Sequence, residues 1–240
     1  MNLVREANPA SWQTLEKLRE RRDSPSTTPW QWARFACGVW LRGEDTLIQS
    51  QDWDSLPIAV IPPGSRVWVG WDAAFRGRDT TAIVPLWWQS PQTRVIGDPI
   101  ILTPPESGGM LSDVDVLNAI LSLRDQRGYR IEAITYDPNA GAAVLAQQLA
   151  RDHGFTMVEH SQHDGPMSLA DGRFLEALRR SELAHSGDPV LRQHVLNAIE
   201  KPVSGGGFRF ARPKHGPRRP IDALTAVSMC HSTAKTLTHH

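Results

Sequence analysis

Residues 67–84 read VWVGWDAAFRGRDTTAIV, and this stretch decides the fold. An apolar run that ends in Asp72, turns through Gly77 and resumes at 80–84 predicts a β-hairpin with Asp72 on its first strand. A carboxylate among β-branched and aromatic side chains is unfavourable to bury alone, so Asp72 requires a metal ion, a basic partner or solvent. The alternative is an acid that lies just past the strand or caps a turn.

The length and the charge of the chain limit what it can be. The 240 residues carry 26 basic and 26 acidic side chains, enough chain for one domain of about 180 residues plus an appendage. Balanced charge excludes a global positive field, so any contact with nucleic acid must come from a local patch. One acid-free stretch supplies such a patch: Arg209, Arg212, Lys214, Arg218 and Arg219.

Cysteine usage and hydropathy exclude further classes. Cys37 and Cys230 have no second Cys or His at zinc-ligand spacing, so neither a zinc site nor a disulfide framework is predicted. The chain has no apolar run approaching the length of a membrane span and no signal-peptide pattern. We therefore expect a soluble, intracellular protein that is not secreted and has no membrane partner.

The N-terminal part differs from the rest. Residues 1–56 form a Trp-rich segment with helical spacing at 12–22 and 29–40, and two short helices cannot cover that much apolar surface alone. The segment packs either on the domain that follows or on a domain that is not in this chain. A proline-bounded stretch at 57–63 then opens the main domain, residues 57–240.

The main domain is predicted to be α/β. Its predicted elements are strands at 66–72, 80–88 and 94–102 in an antiparallel meander, a helix at 112–127, a strand at 131–136, a helix at 140–152, a strand at 155–159, helices at 168–181 and 189–199, a glycine-hinged hairpin at 205–210, and a closing helix at 220–234.

Three aspartates stand at the ends of these elements. Asp72 and Asp137 each end an apolar strand, and Asp222 lies in the first turn of the closing helix. If the first and fourth strands are parallel neighbours, two carboxylates emerge side by side, and a helix packed across that edge delivers the third. At about 5 Å and an effective dielectric near 20, each like-charged pair costs about 3 kcal/mol, so the cluster favours divalent cations.

The ligand chemistry favours particular ions. Carboxylate oxygens without a nearby His or Cys select magnesium or manganese rather than zinc. Two such ions about 3.5 to 4 Å apart, bridged by Asp72, would activate a water and stabilise the leaving oxygen in phosphodiester cleavage. Three aspartates can be fitted to many schemes, so spacing alone leaves a structural role open.

Several short motifs occur in a specific order. They are Gly70-Trp71-Asp72-Ala73-Ala74 with Asp79-Thr80-Thr81-Ala82, Thr135-Tyr136-Asp137-Pro138-Asn139, His194-Val195-Leu196-Asn197-Ala198, and Pro220-Ile221-Asp222-Ala223-Leu224-Thr225-Ala226. Over about residues 60–235 the chain resembles the C-terminal nuclease domain of the large terminase subunit of tailed bacteriophages. The resemblance implies a ribonuclease-H-like mixed sheet flanked by helices.

The resemblance also implies an activity. It suggests a metal-dependent endonuclease that cuts concatemeric double-stranded viral DNA during packaging, with Asp72, Asp137 and Asp222 holding two Mg²⁺ or Mn²⁺ ions. Asp79 matches the family pattern too, and either joins these ligands or only holds its hairpin. His194 and Asn197, one helical turn apart, either approach DNA, support the site, or belong to a helix face packed on the sheet.

The basic stretch falls in and after the glycine-hinged hairpin, beside the expected acids. Five cations there predict sequence-independent contacts with the DNA backbone, with a solvated loop as the alternative. Those candidates are Arg209, Arg212, Lys214, Arg218 and Arg219.

One family feature is missing. The chain has no Gly-x-x-x-x-Gly-Lys-Ser/Thr phosphate loop, so we expect the packaging ATPase to be absent. Residues 1–56 would then be the end of, or the link from, that domain, in a piece of a longer protein or the product of a split gene. The implied partners are the ATPase domain, the small terminase subunit and the portal, in the cytoplasm of an infected bacterial host.

Two other classes of enzyme and one non-enzymatic role are alternatives to this interpretation. Transposases and junction resolvases share the fold, but transposase-type enzymes usually end on a Glu closer to the second acid, whereas Asp222 follows Asp137 by 85 residues. A phosphotransferase of the sugar-kinase type needs a second phosphate hairpin in a duplicated domain, and the chain has no repeat. A non-catalytic DNA-gripping or capsid-docking module, whose acids are structural, stays open.

Overall fold

A computed structural model describes residues 2–24, 27, 32, 36–37, 46–75, 79–105, 109–204, 206–213 and 219–238. The predicted N-terminal helix at 29–40 lies mostly outside these described residues, and the predicted turn at Gly77 lies wholly outside them. None of the helices in the described part of the chain has the length and apolar character that crossing a membrane requires.

The described residues form strands and helices in alternation. The strands are β1 (Arg66–Asp72), β2 (Thr81–Ser90), β3 (Thr93–Ile96), β4 (Ile100–Leu102), β5 (Arg130–Tyr136), β6 (Met157–Glu159), β7 (Leu183–His185), β8 (Ile199–Pro202) and β9 (Phe208–Ala211). The helices are α1 (Asn2–Glu6), α2 (Leu15–Asp23), α3 (Ser50–Asp54), α4 (Asp113–Asp125), α5 (Ala143–His153), α6 (Asp164–Arg179), α7 (Pro189–Leu196) and α8 (Asp222–Thr238), with a 3₁₀ helix at Pro138–Ala140.

The strands build a seven-stranded mixed sheet in the order β6-β5-β1-β2-β3-β7, with β4 paired to β2. β1 is antiparallel to β2 and parallel to β5, its neighbour on the other side. The predicted meander and the parallel pairing of the strands that carry Asp72 and Asp137 are therefore present. β8 and β9 form a separate two-stranded hairpin.

Several elements differ from the prediction. The predicted strand at 94–102 is interrupted into β3 and β4, opposite Pro85, which has no N–H to donate to the ladder. The predicted helix at 189–199 ends at Leu196 and the chain continues as β8. Strand β7 was not predicted, because three buried residues are too few to show a period.

The two faces of the sheet carry separate hydrophobic cores. Alternate β1 residues, Val67, Val69 and Trp71, pack with α4 and α5 on one face. The other face is covered by α8, α6, α7 and the hairpin. Because side chains alternate along a strand, Gly70 and Asp72 point toward α8.

Helix α8 lies unusually close to β1. A Cβ atom added at Gly70 would stand 2.0 Å from the carbonyl oxygen of Ala226 and 3.0 Å from the Cβ of Cys230. No side chain fits between strand and helix at this point, so glycine is required for the helix to reach the sheet.

The described residues 46–56 pack on the main domain. Ile48, Trp53 and Leu56 belong to the core beneath α8. Trp53 stacks on His185 with ring centroids 4.6 Å apart, and Asp54 forms a two-pronged ion pair with Arg192 of α7 at 2.7 Å. This part of the N-terminal segment therefore packs on the domain that follows it. The domain boundary at residue 57 stays a prediction.

Replacing Gly70 by alanine should lower the free energy of unfolding by about 3 kcal/mol, because the new methyl group would overlap the Ala226 carbonyl and push α8 from the sheet. Urea denaturation measures the change. Gly172→Ala is the matched control: a Cβ at Gly172 in α6 meets no atom within 4 Å, so alanine there should stabilise by up to about 1 kcal/mol. Equal stability of both variants would show that the close approach is wrong.

Candidate functional site

The predicted acids converge at one edge of the sheet. β1 and β5 are parallel with Trp71 opposite Tyr136, so Asp72 at the end of β1 and Asp137 just after β5 leave the sheet side by side. Asp222 is the first residue of α8, which packs across the same edge. The chain thus brings together residues that are up to 150 positions apart in sequence, since 222 − 72 = 150.

An open cleft of about 350 Å³ lies beside these acids. Its lining includes the acids Asp72, Asp79 and Asp222 and the cations Lys201, Arg209 and Arg212. Asp137 neighbours Asp72 but does not line the cleft. Within the described ranges, no group of three or more His, Cys, Asp or Glu side chains is arranged to hold a metal ion as it stands.

Asp72 is at the electrostatic centre of the site. Its Oδ1 accepts a hydrogen bond of 2.8 Å from Nε2 of Gln162. The pKa of the Asp72 carboxyl is raised to about 7: burial is the largest cause, the negative charges of Asp222, Asp137 and Asp79 act in the same direction, and the hydrogen bond from Gln162 acts against them. The carboxylates of Asp222, Asp137 and Asp79 are therefore close enough to act on Asp72, and near neutral pH Asp72 gains from a proton or a cation.

Asp137 is buried and has a structural bond of its own. Its Oδ1 accepts from the backbone N–H of Asn139 at 3.2 Å and from the Asn139 side-chain amide at 3.1 Å. This places Asp137 as the cap of the short 3₁₀ helix and fixes the direction of its carboxylate.

Asp222 and Asp79 each have a partner in the cleft. The Thr80 hydroxyl donates to Oδ2 of Asp222. The Arg212 guanidinium donates to both carboxylate oxygens of Asp79, and this contact raises the pKa of Arg212. Asp79 is thus held by Arg212, the residue that follows β9.

His194 and Asn197 hold the start of α8. His194 is buried, and its Nδ1 accepts from the backbone N–H of Ala223 at 3.0 Å. The side-chain amide of Asn197 donates to the carbonyl oxygen of Pro220 at 2.9 Å. Of the alternatives for this pair, the contacts support the site-supporting role, because they fix the residues on both sides of Asp222.

The predicted DNA-contacting cations fall into three groups. Arg209 is half-buried and donates to Asp164 Oδ1 at 2.9 Å, while Arg212 is exposed and faces the acids. Arg219 is exposed and does not line the cleft. Lys214 and Arg218 lie outside the described residues.

Two cleft residues were not predicted from the sequence. Lys201 is opposite Arg209 in the hairpin and was missed because β8, which follows the predicted helix at 189–199, is too short to show a period. Gln162 follows β6, which is parallel to β5, and so lies at the same edge of the sheet. The sequence could indicate this position only if the strand order were already known.

Comparison with known proteins places the chain. The family described as the terminase large subunit, endonuclease domain, matches residues 101–238, a range that includes Asp137 and Asp222 and begins after Asp72. No curated protein gives a significant match.

Solved structures share the fold. The large terminase of bacteriophage HK97 matches with a TM-score of 0.66 and 16% identity, over 97% of this chain and 53% of that chain. The large terminase of the thermophilic bacteriophage D6E matches with a TM-score of 0.63 and 12% identity, over 95% of this chain and 52% of that one. This chain therefore spans about half the length of either protein.

The nuclease of the large terminase from thermophilic phage G20c, with bound magnesium, matches with a TM-score of 0.56 and 11% identity, over 75% of this chain and 94% of that chain. The same nuclease with bound cobalt matches with a TM-score of 0.54. These matches confirm the predicted ribonuclease-H-like mixed sheet flanked by helices. Since the family match covers more than half of the 240 residues, the chain belongs to the terminase large subunit endonuclease domain family.

Proposed function

We propose that this chain is a divalent-metal-dependent endonuclease that cuts concatemeric double-stranded viral DNA during genome packaging. The observation that carries the proposal is the convergence of Asp72, Asp137 and Asp222 at one sheet edge, beside a cleft that three cations also line. Membership of the terminase endonuclease family gives the same class of reaction.

The donor set fits hard divalent cations. Asp72, Asp137 and Asp222 offer carboxylate oxygens, and Asp72 has three negative neighbours that a cation would neutralise. The G20c nuclease has been crystallised with magnesium and with cobalt, which supports divalent-metal use in this fold. We propose that the three aspartates hold two Mg²⁺ or Mn²⁺ ions, and Asp79 either adds a ligand or stays with Arg212.

Each residue of the site has a separate task. When bound, a pair of divalent ions supplies an activated water and stabilises charge on the leaving oxygen. Gln162 and Thr80 orient the carboxylates of Asp72 and Asp222 through the hydrogen bonds described above. Asn139 does the same for Asp137.

The hairpin cations contact DNA through its phosphates. Lys201, Arg209 and Arg212 line the cleft that contains the acids, so a duplex bound to them would have a phosphodiester near Asp72. Contacts with phosphates hold the DNA backbone in place without reading the base sequence. They therefore suit an endonuclease that cuts with little sequence preference.

We also propose that the chain works as one part of a complete packaging machine. In that setting the chain would work beside a packaging ATPase domain, the small terminase subunit and the portal, in the cytoplasm of the infected bacterium. A non-catalytic DNA-gripping or capsid-docking module is the alternative, favoured by the ion pair that already occupies Asp79.

Plasmid cleavage tests the proposed activity. Supercoiled DNA should be lost with manganese or magnesium and persist with chelator. Asp72→Asn, Asp137→Asn and Asp222→Asn should each reduce the rate by more than about a hundredfold, since loss of a metal ligand exceeds the effect of losing an outer-shell partner. Asparagine keeps the hydrogen-bond acceptor that Asp137 uses as a cap.

The control for this experiment is Asp54→Asn, which removes an exposed carboxylate paired with Arg192; neither residue lines the cleft, so cleavage should be unchanged. DNA that is bound but intact with every metal would support the docking module instead.

The raised pKa of Asp72 predicts a pH-dependent stability. Because the folded pKa of about 7 exceeds the ordinary value of 3.8, Asp72 favours folding at low pH and this contribution is lost as pH rises through 7. Without metal, Asp72→Asn should therefore stabilise the protein more at pH 8 than at pH 5, by about 1 to 3 kcal/mol. Denaturant titration in chelator measures the difference.

The same titration of Asp54→Asn is the control. Arg192 lowers the pKa of Asp54, so the effect of that variant should not change between pH 5 and pH 8. An Asp72→Asn effect that is equally independent of pH would contradict the raised pKa.

Arg209→Gln should weaken duplex binding by about threefold in low salt and reduce the slope of log affinity against log salt by about 1, because one phosphate contact is lost. Fluorescence anisotropy with a labelled duplex measures both quantities. Arg66→Gln, at the opposite end of β1 and paired with Glu132, is the matched control and should change neither. A slope that is the same for both variants would remove Arg209 from the DNA contact.

A further inference from the structure

The β8–β9 hairpin carries the cleft cations and is not part of the main sheet. Across the described residues, its backbone ladder pairs β8 only with β9 and, at one bridge, with Thr46. The hairpin therefore depends on side-chain contacts from other elements to align Lys201, Arg209 and Arg212 with the acids.

One face of α6 supplies these contacts. Asp164, Ser168 and Asp171 are spaced by four and then three residues, so they lie on one side of the helix. Asp164 binds Arg209 at 2.9 Å, and a Cβ added at Gly207 would stand 2.5 Å from the Ser168 hydroxyl. The hairpin thus rests along this face over two helical turns.

Asp171 is the innermost of the three contacts. Its side chain has no solvent exposure. Oδ2 accepts the backbone N–H of Phe210 in β9 at 2.8 Å, and Oδ1 accepts the hydroxyl of Ser228 in α8 at 2.6 Å. One carboxylate therefore joins the strand that carries Arg209 to the helix that begins with Asp222.

An acid at this position is unfavourable for stability alone. Burial raises the pKa of Asp171 to about 7, with the two donors acting against burial. An apolar side chain of similar volume would fill the space at lower desolvation cost. The ring of Phe210 already packs edge-on against Phe174 with centroids 6.1 Å apart, but apolar packing is not directional and leaves the register of β9 open.

We propose that Asp171 is a positioning residue for DNA cleavage, which sets the register of β9 against α8 and so places Arg209 and Arg212 over the acids. The inference rests on the proposed nuclease function. It requires that replacing Asp171 changes the position of the DNA-binding cations and leaves the proposed metal ligands in place.

The test compares Asp171→Leu and Asp171→Asn with the unmodified chain. In Asp171→Leu, amide hydrogen exchange at Phe210 should be faster by about tenfold or more, because a buried N–H loses its acceptor. In manganese-dependent cleavage KM for DNA should rise about three- to tenfold, as two phosphate contacts are misplaced, while kcat stays within about twofold. Affinity for Mn²⁺, measured by calorimetry, should also stay within about twofold.

Asp171→Asn separates positioning from loss of folding. It keeps one carbonyl oxygen, which can accept the N–H of Phe210, and its side-chain Nδ2 can donate to the Ser228 hydroxyl, so KM and exchange at Phe210 should lie nearer to those of the unmodified chain than to those of Asp171→Leu. Leu123→Ala, in the core on the other face of the sheet, controls for lowered stability.

The inference is overturned if Asp171→Leu and Leu123→Ala change KM, kcat and exchange at Phe210 alike, or if Asp171→Leu lowers kcat with KM unchanged. Failure of the nuclease function itself has a different signature. If the unmodified chain cuts no DNA with any metal, duplex affinity and exchange at Phe210 still show whether Asp171 positions the hairpin.

Discussion

The close approach of α8 to β1 at Gly70 is the constraint on which the site depends. The helix reaches the strand only where no side chain intervenes, and the carbonyl of Ala226 occupies the space a Cβ would need. Asp72 lies two residues beyond Gly70 on the same face of the strand, and Asp222 lies one helical turn before Ala226. Both carboxylates are therefore located by the same contact, and helix α7 secures it through His194 and Asn197.

The acids are tolerated because each has a donor of its own. Asp137 accepts from Asn139, Asp222 from Thr80 and Asp79 from Arg212, whereas among the described residues the hydrogen-bond donor to Asp72 is the neutral amide of Gln162. Asp72 is also the residue on which the other three act, and burial and these like charges raise its pKa. A cation bound beside Asp72 would offset both effects.

Local pattern predicted more of the fold than of the site. Asp72 and Asp137 could be found because each ends a long apolar strand, and α4 and α8 because their apolar spacing and start signals are strong. The three-residue strand β7 and the strand β8 were missed, since neither is long enough to show a period. Gln162, Lys201 and Asp171 could not be found, because each reaches its partner through the order of strands or the packing of helices, which no short window of sequence contains.

The hairpin is held against the main domain by side chains, and α6 supplies several of these contacts. A sheet strand cannot be lengthened or replaced without disturbing its neighbours, because every ladder bond is shared. An element held by a few side-chain contacts can be lengthened or replaced without breaking the hydrogen bonds of the sheet. A substitution on this face of α6 can therefore move the cations proposed to bind DNA while the sheet edge with the proposed metal ligands stays as it is, so the two parts of the site can vary separately.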